Sequence, residues 1–301
     1  MSKQPSGKRR PQARKGRTAV AAKSARKQTD RTAWIIAGAI IVVGVALVIA
    51  FAGNAKKKND AISGDKAAPA ALVSKVTGVK DTVITQVGQG STIGLPKKIG
   101  DKPLVTKDGK PRVVYLGAEY CPYCATERWA MVQALSRFGK FSNLRITTSA
   151  AKNQVGSPEV FPNTATFSFH GSKYSSPYIQ FEPVEQKTND YKDLETPTSE
   201  QEKLAQKYDS PPYVDQQSAG AIPFIDFANQ YLISGASYDA GVLAGKTHAE
   251  IAAAMNDPSS DIAKGAIGTA NAITATICKI TGDKNTKVCS DSAVKSIEGQ
   301  L

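Results

Sequence analysis

The strongest constraint in this sequence is one long uncharged segment near its start. From Ala33 to Ala55 the chain carries no charged side chain, and Trp34 and Phe51 stand near the two ends of the apolar part. About twenty apolar residues in a helix, rising about 1.5 Å each, cross the ~30 Å hydrocarbon layer of a bilayer. Aromatic residues are typical of the two membrane interfaces. We therefore predict a transmembrane helix over residues 33–55.

The positive charge of the chain is concentrated directly before this segment. Residues 1–32 hold eleven Lys or Arg and one acid, whereas the rest of the chain holds 28 bases and 25 acids. The larger positive block beside a span stays in the cytoplasm. We expect a disordered basic cytoplasmic tail that attracts membrane lipid, and an extracytoplasmic C-terminal part, in a single-pass protein of the cell membrane. The tail has no interleaved aromatic residues, so we predict no nucleic-acid binding.

Two other interpretations of the apolar segment stay open. A cleaved signal peptide has a shorter apolar region that follows a short basic one, whereas the basic stretch here is 32 residues long. A helix buried in a soluble core is the remaining alternative. Residues 56–75 are small, polar and charged, which predicts a linker.

We expect one extracytoplasmic α/β domain over residues 76–301. A β-branched and aromatic run predicts a buried strand over 112–118. A helix over 125–138 and a strand over 144–148 follow, which is the start of a βαβ unit. Residues 76–87 form a strand or a short helix. Later elements are a hairpin-like strand pair (165–169 and 178–184), a helix over 198–208 capped by Ser199 and Glu202, an antiparallel hairpin (221–227 and 231–234), and two Ala-rich helices (247–255 and 261–280).

The chemistry of the domain is concentrated in Cys121-Pro122-Tyr123-Cys124, between the first strand and its helix. Pro122 suits the first helical position, so Cys121 would face the backbone N–H groups and the positive end of the helix dipole. Both favour the thiolate and lower the pKa of Cys121. We predict that Cys121 is an exposed nucleophile and that Cys124, more buried, resolves the mixed disulfide.

A metal site and an inert or structural pair are the alternatives for this motif. A structural zinc site needs a second closely spaced pair or His partners. Cys278 and Cys289 are too far apart in sequence for such a pair, and His170 and His248 stand alone, as expected of surface or packing residues. We therefore predict no metal and no cofactor.

The segment Tyr115–Cys124 resembles the strand-to-active-site segment of the thioredoxin superfamily. The length of chain between Cys121 and Pro223 makes the layout more similar to DsbA-type, membrane-anchored thiol–disulfide oxidoreductases. The resemblance implies a thioredoxin-like fold with an insertion at about 150–220, between the CxxC helix unit and the strand that begins with a cis-proline. It also implies that the Ile222–Pro223 bond is cis and that Ile222 and Pro223 bind substrate.

The sequence departs from these families at two positions beside the dithiol. Tyr115 stands where thioredoxins place a buried acid, and Tyr123 stands where DsbA-type proteins have a histidine. Glu119 is the nearest carboxylate, and we expect it to face solvent.

Cys278 and Cys289 flank a polar loop near the C-terminus. Outside the cytoplasm such thiols usually oxidise, so we predict a structural disulfide. A second redox pair that passes electrons to Cys121 and Cys124 is the alternative.

Together these features predict a membrane-anchored extracytoplasmic thiol–disulfide oxidoreductase. Its substrates would be cysteines of exported proteins, and a membrane redox protein would exchange electrons with it. The alternative is a non-enzymatic module that keeps the thioredoxin-like scaffold as a binding surface for partners in the cell envelope. The sequence leaves the direction of the redox reaction open.

Overall fold

The structure, a computed structural model, describes residues 61–152 and 160–301. The predicted basic tail (1–32) and membrane span (33–55) lie outside the described residues. In the part of the chain that is described, none of the helices combines the length and the apolar character that crossing a bilayer requires.

The described residues form a mixed α/β unit, as predicted. The helices are α1 Ala70–Thr77, α2 Asp81–Val87, α3 Pro122–Ser136, α4 Ser199–Tyr208, α5 His248–Ala254, α6 Asp261–Thr281, α7 Thr286–Cys289 and α8 Ser292–Glu298. The strands are β1 Lys66–Ala67, β2 Lys97–Lys98, β3 Arg112–Gly117, β4 Lys140–Ser142, β5 Arg145–Thr148, β6 Ala165–Ser168, β7 Lys173–Ser175, β8 Gln180–Glu185, β9 Phe224–Phe227 and β10 Tyr231–Ser234.

The main sheet has five strands in the order β2-β10-β9-β3-β8. Strand β3 pairs with β8 in parallel and with β9 in antiparallel orientation, so that Tyr115 lies opposite both Pro183 and Ile225. The predicted hairpin of β9 and β10 is confirmed. This order places the end of β3, from which the CxxC motif follows, beside the start of β9.

Both faces of β3 are buried, which explains its continuous apolar run. Val113 and Tyr115 belong to the larger core, which also contains side chains of α3 and α6. Val114 and Leu116 belong to a smaller core with side chains of α4. Helices α3 and α4 therefore cover opposite faces of the sheet.

Helix α3 is enclosed almost completely. Every residue from Cys124 to Leu135 is buried. Helix α6 packs along one side of α3, and β6 lies on another, where the indole N–H of Trp129 donates to the Ala165 carbonyl at 2.9 Å. Polar side chains on this helix are therefore held in the protein interior and need partners there.

Two strand pairings differ from the predictions. The predicted hairpin of residues 165–169 and 178–184 is wrong, because β6 pairs with β5 and β8 pairs with β3. The predicted βαβ unit is also different, since β5 belongs to a separate three-stranded sheet, β1-β5-β6, and β8 is the parallel neighbour of β3. Local alternation gives the buried face of a strand but does not select its partner. The stretch at 150–220 is consequently no single insertion, because it supplies a strand of the main sheet.

Two boundaries also need correction. The predicted linker over 56–75 ends too late: Lys66 and Ala67 pair with β5, and Leu72 packs on the larger core. The prediction failed because the polar composition of residues 56–75 gave no indication of these few contacts. Residues 76–87, for which a strand or a short helix was expected, contain the end of α1 and the whole of α2, with residues 78–80 between the two helices. The capping box of α4 is formed by Thr198 and Gln201 in place of Ser199 and Glu202.

Candidate active site

Cys121 and Cys124 lie where β3 is followed by α3. Cys121 is the N-cap residue of α3, and Pro122 follows it in the first turn. The Cys121 Sγ accepts a hydrogen bond from the backbone N–H of Cys124 at 3.2 Å. The sulfur thus occupies the position that a Ser or Asp oxygen takes at other helix starts, at the positive end of the helix dipole.

Both side chains are free thiols, and both are buried. Cys121 is 4% exposed and Cys124 is 0% exposed. The prediction that Cys121 is exposed is therefore wrong, although Cys121 is the more accessible of the two. The chain before β9 covers its sulfur: the Ile222 carbonyl oxygen lies 3.6 Å from Cys121 Sγ.

The two thiols differ in acidity. Hydrogen bonds from the Cys124 side chain and backbone lower the pKa of Cys121, and burial opposes this effect. Burial raises the pKa of Cys124 well above its ordinary value, and its hydrogen bond to Cys121 adds to the increase. Cys121 is therefore the thiol that ionises first, and Cys124 keeps its proton.

Arg128, one turn beyond Cys124, forms a fully buried ion pair with Glu185 at the end of β8. Its Nε and Nη2 atoms donate to the two carboxylate oxygens at 2.8 and 2.6 Å. Nη2 also donates to the Ala118 carbonyl at 2.7 Å, and the same carbonyl accepts the backbone N–H of Cys121 at 3.3 Å. The guanidinium is thus tied to the loop that carries Cys121, and its positive charge lowers the pKa of Cys121 further.

Tyr115 fills the space behind this ion pair. Its ring packs against Gly117, where a Cβ atom would lie 2.5 Å from Tyr115 Cζ. The Arg128 guanidinium carbon lies 6.0 Å from the ring centroid. Burial raises the pKa of Tyr115 well above its ordinary value, and its hydroxyl makes no hydrogen bond within the described residues. A neutral phenol therefore stands at this position.

The Ile222–Pro223 peptide bond is cis, as the resemblance implied. Pro223 directly precedes β9, whose first residue, Phe224, pairs with Leu116 of β3. This pairing brings the Ile222 carbonyl to the dithiol. The two predicted catalytic cysteines and the two predicted substrate-binding residues therefore lie together.

Glu119, which precedes the motif, and Tyr123, which lies within it, differ in exposure. Glu119 is buried, so the prediction that it faces solvent is wrong. Its Oε1 atom accepts from Ser168 Oγ at 2.5 Å, and Gly64 leaves the space that the carboxylate occupies. Burial raises the pKa of Glu119. Tyr123, inside the motif, is 42% exposed.

Another buried acid lies on the helix that carries the dithiol. Glu127 accepts hydrogen bonds from the backbone N–H and the hydroxyl of Ser237 at 2.9 and 3.0 Å. Burial nevertheless raises the pKa of Glu127 to about 7.

A cavity of about 550 Å³ opens beside the Cys121 loop. It lies between α4 and the adjoining ends of β3 and β9. Its wall includes Leu116, Tyr120, Glu202, Asp209, Ile222 and Phe224. Ile222 lines the cavity and also contacts the Cys121 sulfur, so one residue separates the cavity from the dithiol.

Cys278 and Cys289 form a disulfide, as predicted. Within residues 61–152 and 160–301, one cluster of three potential metal-ligating side chains occurs: Cys278, Asp283 and Cys289. Its two sulfurs are already bonded to each other. Cys121 and Cys124 belong to no such cluster in the described residues.

The two histidines have local partners. His170 Nδ1 lies 2.7 Å from Glu195 Oε1, and His248 Nε2 lies 3.0 and 2.8 Å from the carbonyl oxygens of Thr147 and Thr166. These contacts fit the packing roles expected for them.

Sequence reasoning missed Arg128, Glu185 and Asp209. Arg128 follows Cys124 by four residues, which on a helix places the two on one face, and this spacing was the one available signal. Glu185 is 57 residues away from Arg128 in the chain. Its role depends on the pairing of β8 with β3, which no local pattern indicated.

The family comparison covers the part of the chain that contains the dithiol. Residues 97–279 match a family model, and this range includes Cys121, Cys124, Ile222 and Pro223. No curated protein and no solved structure matches the chain. Because the matched range is more than half of the 301 residues, the chain belongs to the family described as Domain of unknown function (DUF929).

Proposed function

We propose that this protein is a thiol–disulfide oxidoreductase that uses Cys121 and Cys124. The observation that carries the proposal is the position of Cys121 Sγ, between the Cys124 backbone N–H and the Ile222 carbonyl at the start of α3. A sulfur at a helix N-terminus, close to a second thiol and a buried guanidinium, is poised to react as a thiolate. No side chain of this arrangement needs a metal or an organic cofactor for thiol exchange.

The reaction proceeds in two exchanges. The Cys121 thiolate attacks one sulfur of a substrate disulfide, and a Cys121–substrate disulfide forms while the other substrate sulfur leaves as a thiolate. Cys124, once its proton has moved to the departing thiolate, attacks Cys121 Sγ and releases the second substrate sulfur. The substrate gains two electrons, and the protein becomes a Cys121–Cys124 disulfide. A dithiol donor restores the reduced state, and the reverse sequence oxidises a substrate dithiol.

A thioredoxin-like fold is consistent with the strand order. The CxxC strand β3 stands between a parallel strand, β8, and an antiparallel strand, β9, that follows the cis-proline. Helix α3 continues directly from the motif, and α6 packs against it. This strand order supports the resemblance proposed from Tyr115–Cys124.

We also propose that the segment at 33–55 anchors the protein, with residues 1–32 in the cytoplasm and the dithiol outside. The support is the charge asymmetry and the Cys278–Cys289 disulfide, which persists more readily outside the cytoplasm. Exported proteins with cysteines would be the substrates, and a membrane redox protein would supply or remove electrons.

The test is reduction of insulin by dithiothreitol, with the full-length chain purified in mild detergent. The wild type is expected to accelerate precipitation of the insulin chains about 100-fold or more over Cys121→Ser, because only a thiolate at this position starts the exchange. Equal rates for the two proteins would contradict the proposal and favour the non-enzymatic binding module.

A further inference from the structure

The cavity beside Cys121 has acidic and apolar walls. Leu116 and Phe224 provide apolar surface from the sheet, and Glu202 and Asp209 provide carboxylates from α4 and its C-terminal end. The cavity is within the ~300–1,000 Å³ range of ligand pockets. Lys187 also lies in the wall, but its ammonium is paired with Asp193 Oδ1 at 2.6 Å. The ionisable groups of the wall therefore leave negative charge unbalanced.

Of the two acids, Asp209 gives the stronger indication that the cavity binds a ligand. Its side chain is buried, with the residue 5% exposed, and Oδ1 makes no hydrogen bond within the described residues. An acceptor that is buried without a donor is unfavourable unless a ligand supplies the donor. The Ser234 hydroxyl interacts with Asp209 and lowers its pKa, but neither Ser234 Oγ nor Asp209 Oδ1 has a partner in hydrogen-bond geometry. Since a carboxylate accepts several hydrogen bonds and Asp209 lies in the cavity wall, an occupant of the cavity can supply the missing donor.

The wall also restricts the shape of the occupant. A Lys or Arg side chain has an apolar stem and a charged end that donates hydrogen bonds. The stem fits against Leu116 and Phe224, and the charged end fits beside Asp209, with the exposed Glu202 near the opening. A neutral apolar side chain would fill the cavity but leave Asp209 without a donor.

We propose that this cavity binds a Lys or Arg side chain of the substrate polypeptide, close to the cysteine that reacts with Cys121. The inference rests on the proposed oxidoreductase function and adds the substrate class: polypeptides with a basic residue near the reactive cysteine. Ile222 links the two places, since it lines the cavity and touches the Cys121 sulfur. Asp209 and Glu202 are specificity-determining residues, and Cys121 performs the chemistry.

The experiment uses the reduced full-length chain and symmetric disulfide dimers of a short peptide with one cysteine. Lys, norleucine or Glu is placed in turn at each of four positions around that cysteine. The second-order rate constant for reduction of each dimer is divided by its rate constant with dithiothreitol, which removes the intrinsic reactivity of the peptide. At one position or more, we expect Lys to react about tenfold faster than norleucine, and Glu to react more slowly than norleucine.

The variants test which acid is responsible. Asp209→Asn is expected to bring the Lys-to-norleucine ratio close to one. Glu202→Gln, an exposed change that the fold tolerates, is expected to lower the ratio about twofold. Asp215→Asn removes an exposed acid outside this cavity and is expected to keep the wild-type ratio. If Asp209→Asn does not fold, the test of the subsite is whether Glu202→Gln lowers the Lys-to-norleucine ratio.

Two results separate failure of the subsite from failure of the function. If the wild type reduces Lys and norleucine peptides at equal normalised rates while Cys121→Ser is inactive, the basic subsite is wrong and the oxidoreductase stands. An unchanged ratio in Glu202→Gln together with Asp209→Asn overturns the subsite as well. If the wild type is no faster than Cys121→Ser with any peptide, the proposed function fails and the subsite with it.

Discussion

Both cysteine pairs of this protein are buried, but one is a pair of free thiols and the other is a disulfide bond. Cys121 and Cys124 are free thiols at the start of α3, whereas Cys278, in the last turns of α6, is bonded to Cys289 at the end of α7. Burial is therefore not what separates the free pair from the bonded pair. The difference lies in the helix end and in the charges around each pair.

The surroundings of the dithiol are rich in buried ionisable groups. Glu119, Glu127, Arg128 and Glu185 are all buried on α3 or on segments that contact it. Beside the disulfide, Asp283 pairs with Lys295 at 2.6 Å, and both side chains of this pair are more than two-fifths exposed. Buried charges reduce stability unless they are paired. Under the proposed function, their concentration around one cysteine pair would serve its chemistry.

Trapping of a mixed disulfide tests this comparison most strongly. In Cys124→Ser, Cys121 keeps its place at the helix start but has no partner to release the substrate, so we expect nearly stoichiometric capture of an oxidised substrate protein. The measurement is a non-reducing gel after acid quenching. Cys289→Ser is the matched control, because it also leaves one unpaired thiol. That thiol, Cys278, is 0% exposed and lies at a helix C-terminus, so no capture is expected. Equal capture by the two variants would mean that the reactivity of a cysteine in this protein does not depend on whether it lies at the N-terminus or the C-terminus of a helix.

Removal of the C-terminal disulfide should change stability and leave the chemistry intact. The bond closes a loop with a sequence separation of 11, which corresponds to roughly 3 kcal/mol of stabilisation through the unfolded state. We expect Cys278→Ser/Cys289→Ser to unfold at lower urea concentration than the wild type and to reduce insulin within about twofold of its rate.

The control for this change is Cys121→Ser/Cys124→Ser, which removes the same number of sulfurs. This variant should not reduce insulin. Its urea midpoint should be close to that of wild-type protein in which Cys121 and Cys124 are free thiols and the Cys278–Cys289 disulfide is intact. A double variant at Cys278 and Cys289 that loses activity while folded would support the alternative that this pair passes electrons to the dithiol.

The buried acid Glu127 should make stability depend on pH. In the folded protein its pKa is about 7, above the ordinary 4.5, so between these pH values the native state holds a proton that the unfolded chain releases. Stability therefore falls as pH rises, by about 2 kcal/mol from this group between pH 5.5 and 8. Urea unfolding across this range is the measurement.

Glu127→Gln should remove this contribution and flatten the profile. Burial also raises the pKa of Asp226 to about 7. Asp226 therefore contributes in the same direction, and the stability of Glu127→Gln should still fall with pH, but less steeply than that of the wild type. A variant that retains the full wild-type slope would show that Glu127 is ionised to the same extent in the folded and unfolded chains.

The extent to which sequence predicts this site depends on the range of each interaction. The start of α3 is encoded within four residues, because Pro122 sets the first helical turn and Cys121 caps it. The β9–β10 hairpin is equally local. The prediction that Cys121 is exposed was wrong because Ile222, which contacts the Cys121 sulfur, is 101 residues away in the chain.

The ion pair behind the dithiol could not be predicted for the same physical reason. Arg128 is an ordinary helical residue by composition, and its burial follows from the packing of α6 on one side and of β6 on another. Glu185 meets it only because β8 pairs in parallel with β3. Strand partners separated by nearly 70 residues are chosen by the whole core, which a local pattern does not contain.

The smallest expected effect concerns this ion pair and the acidity of Cys121. Removal of Arg128 alone would leave Glu185 as an unpaired buried charge and destabilise the fold, so the change is made in both residues, as Arg128→Met/Glu185→Gln. Loss of the nearby positive charge should raise the pKa of Cys121 and slow its alkylation by iodoacetamide at pH 6 about fivefold. Mass spectrometry of the Cys121 peptide over a pH series gives the titration directly.

Glu185→Gln alone is the matched control, because it shares one substitution and keeps the guanidinium. It leaves the buried Arg128 charge without its counter-ion and should also lose stability, so circular dichroism first verifies that both variants are folded at pH 6. With its counter-charge removed, Arg128 should hold the Cys121 thiolate at least as well as in the wild type, so alkylation at pH 6 should not slow. If the double variant titrates like the wild type, the helix N-terminus and the Cys124 hydrogen bonds are sufficient for the acidity of Cys121. The buried charges would then distinguish the two cysteine pairs in stability alone, and Arg128 would be a packing residue. If alkylation slows in the double variant only, Arg128 is a positioning residue that maintains the reactive state of Cys121 from the protein interior.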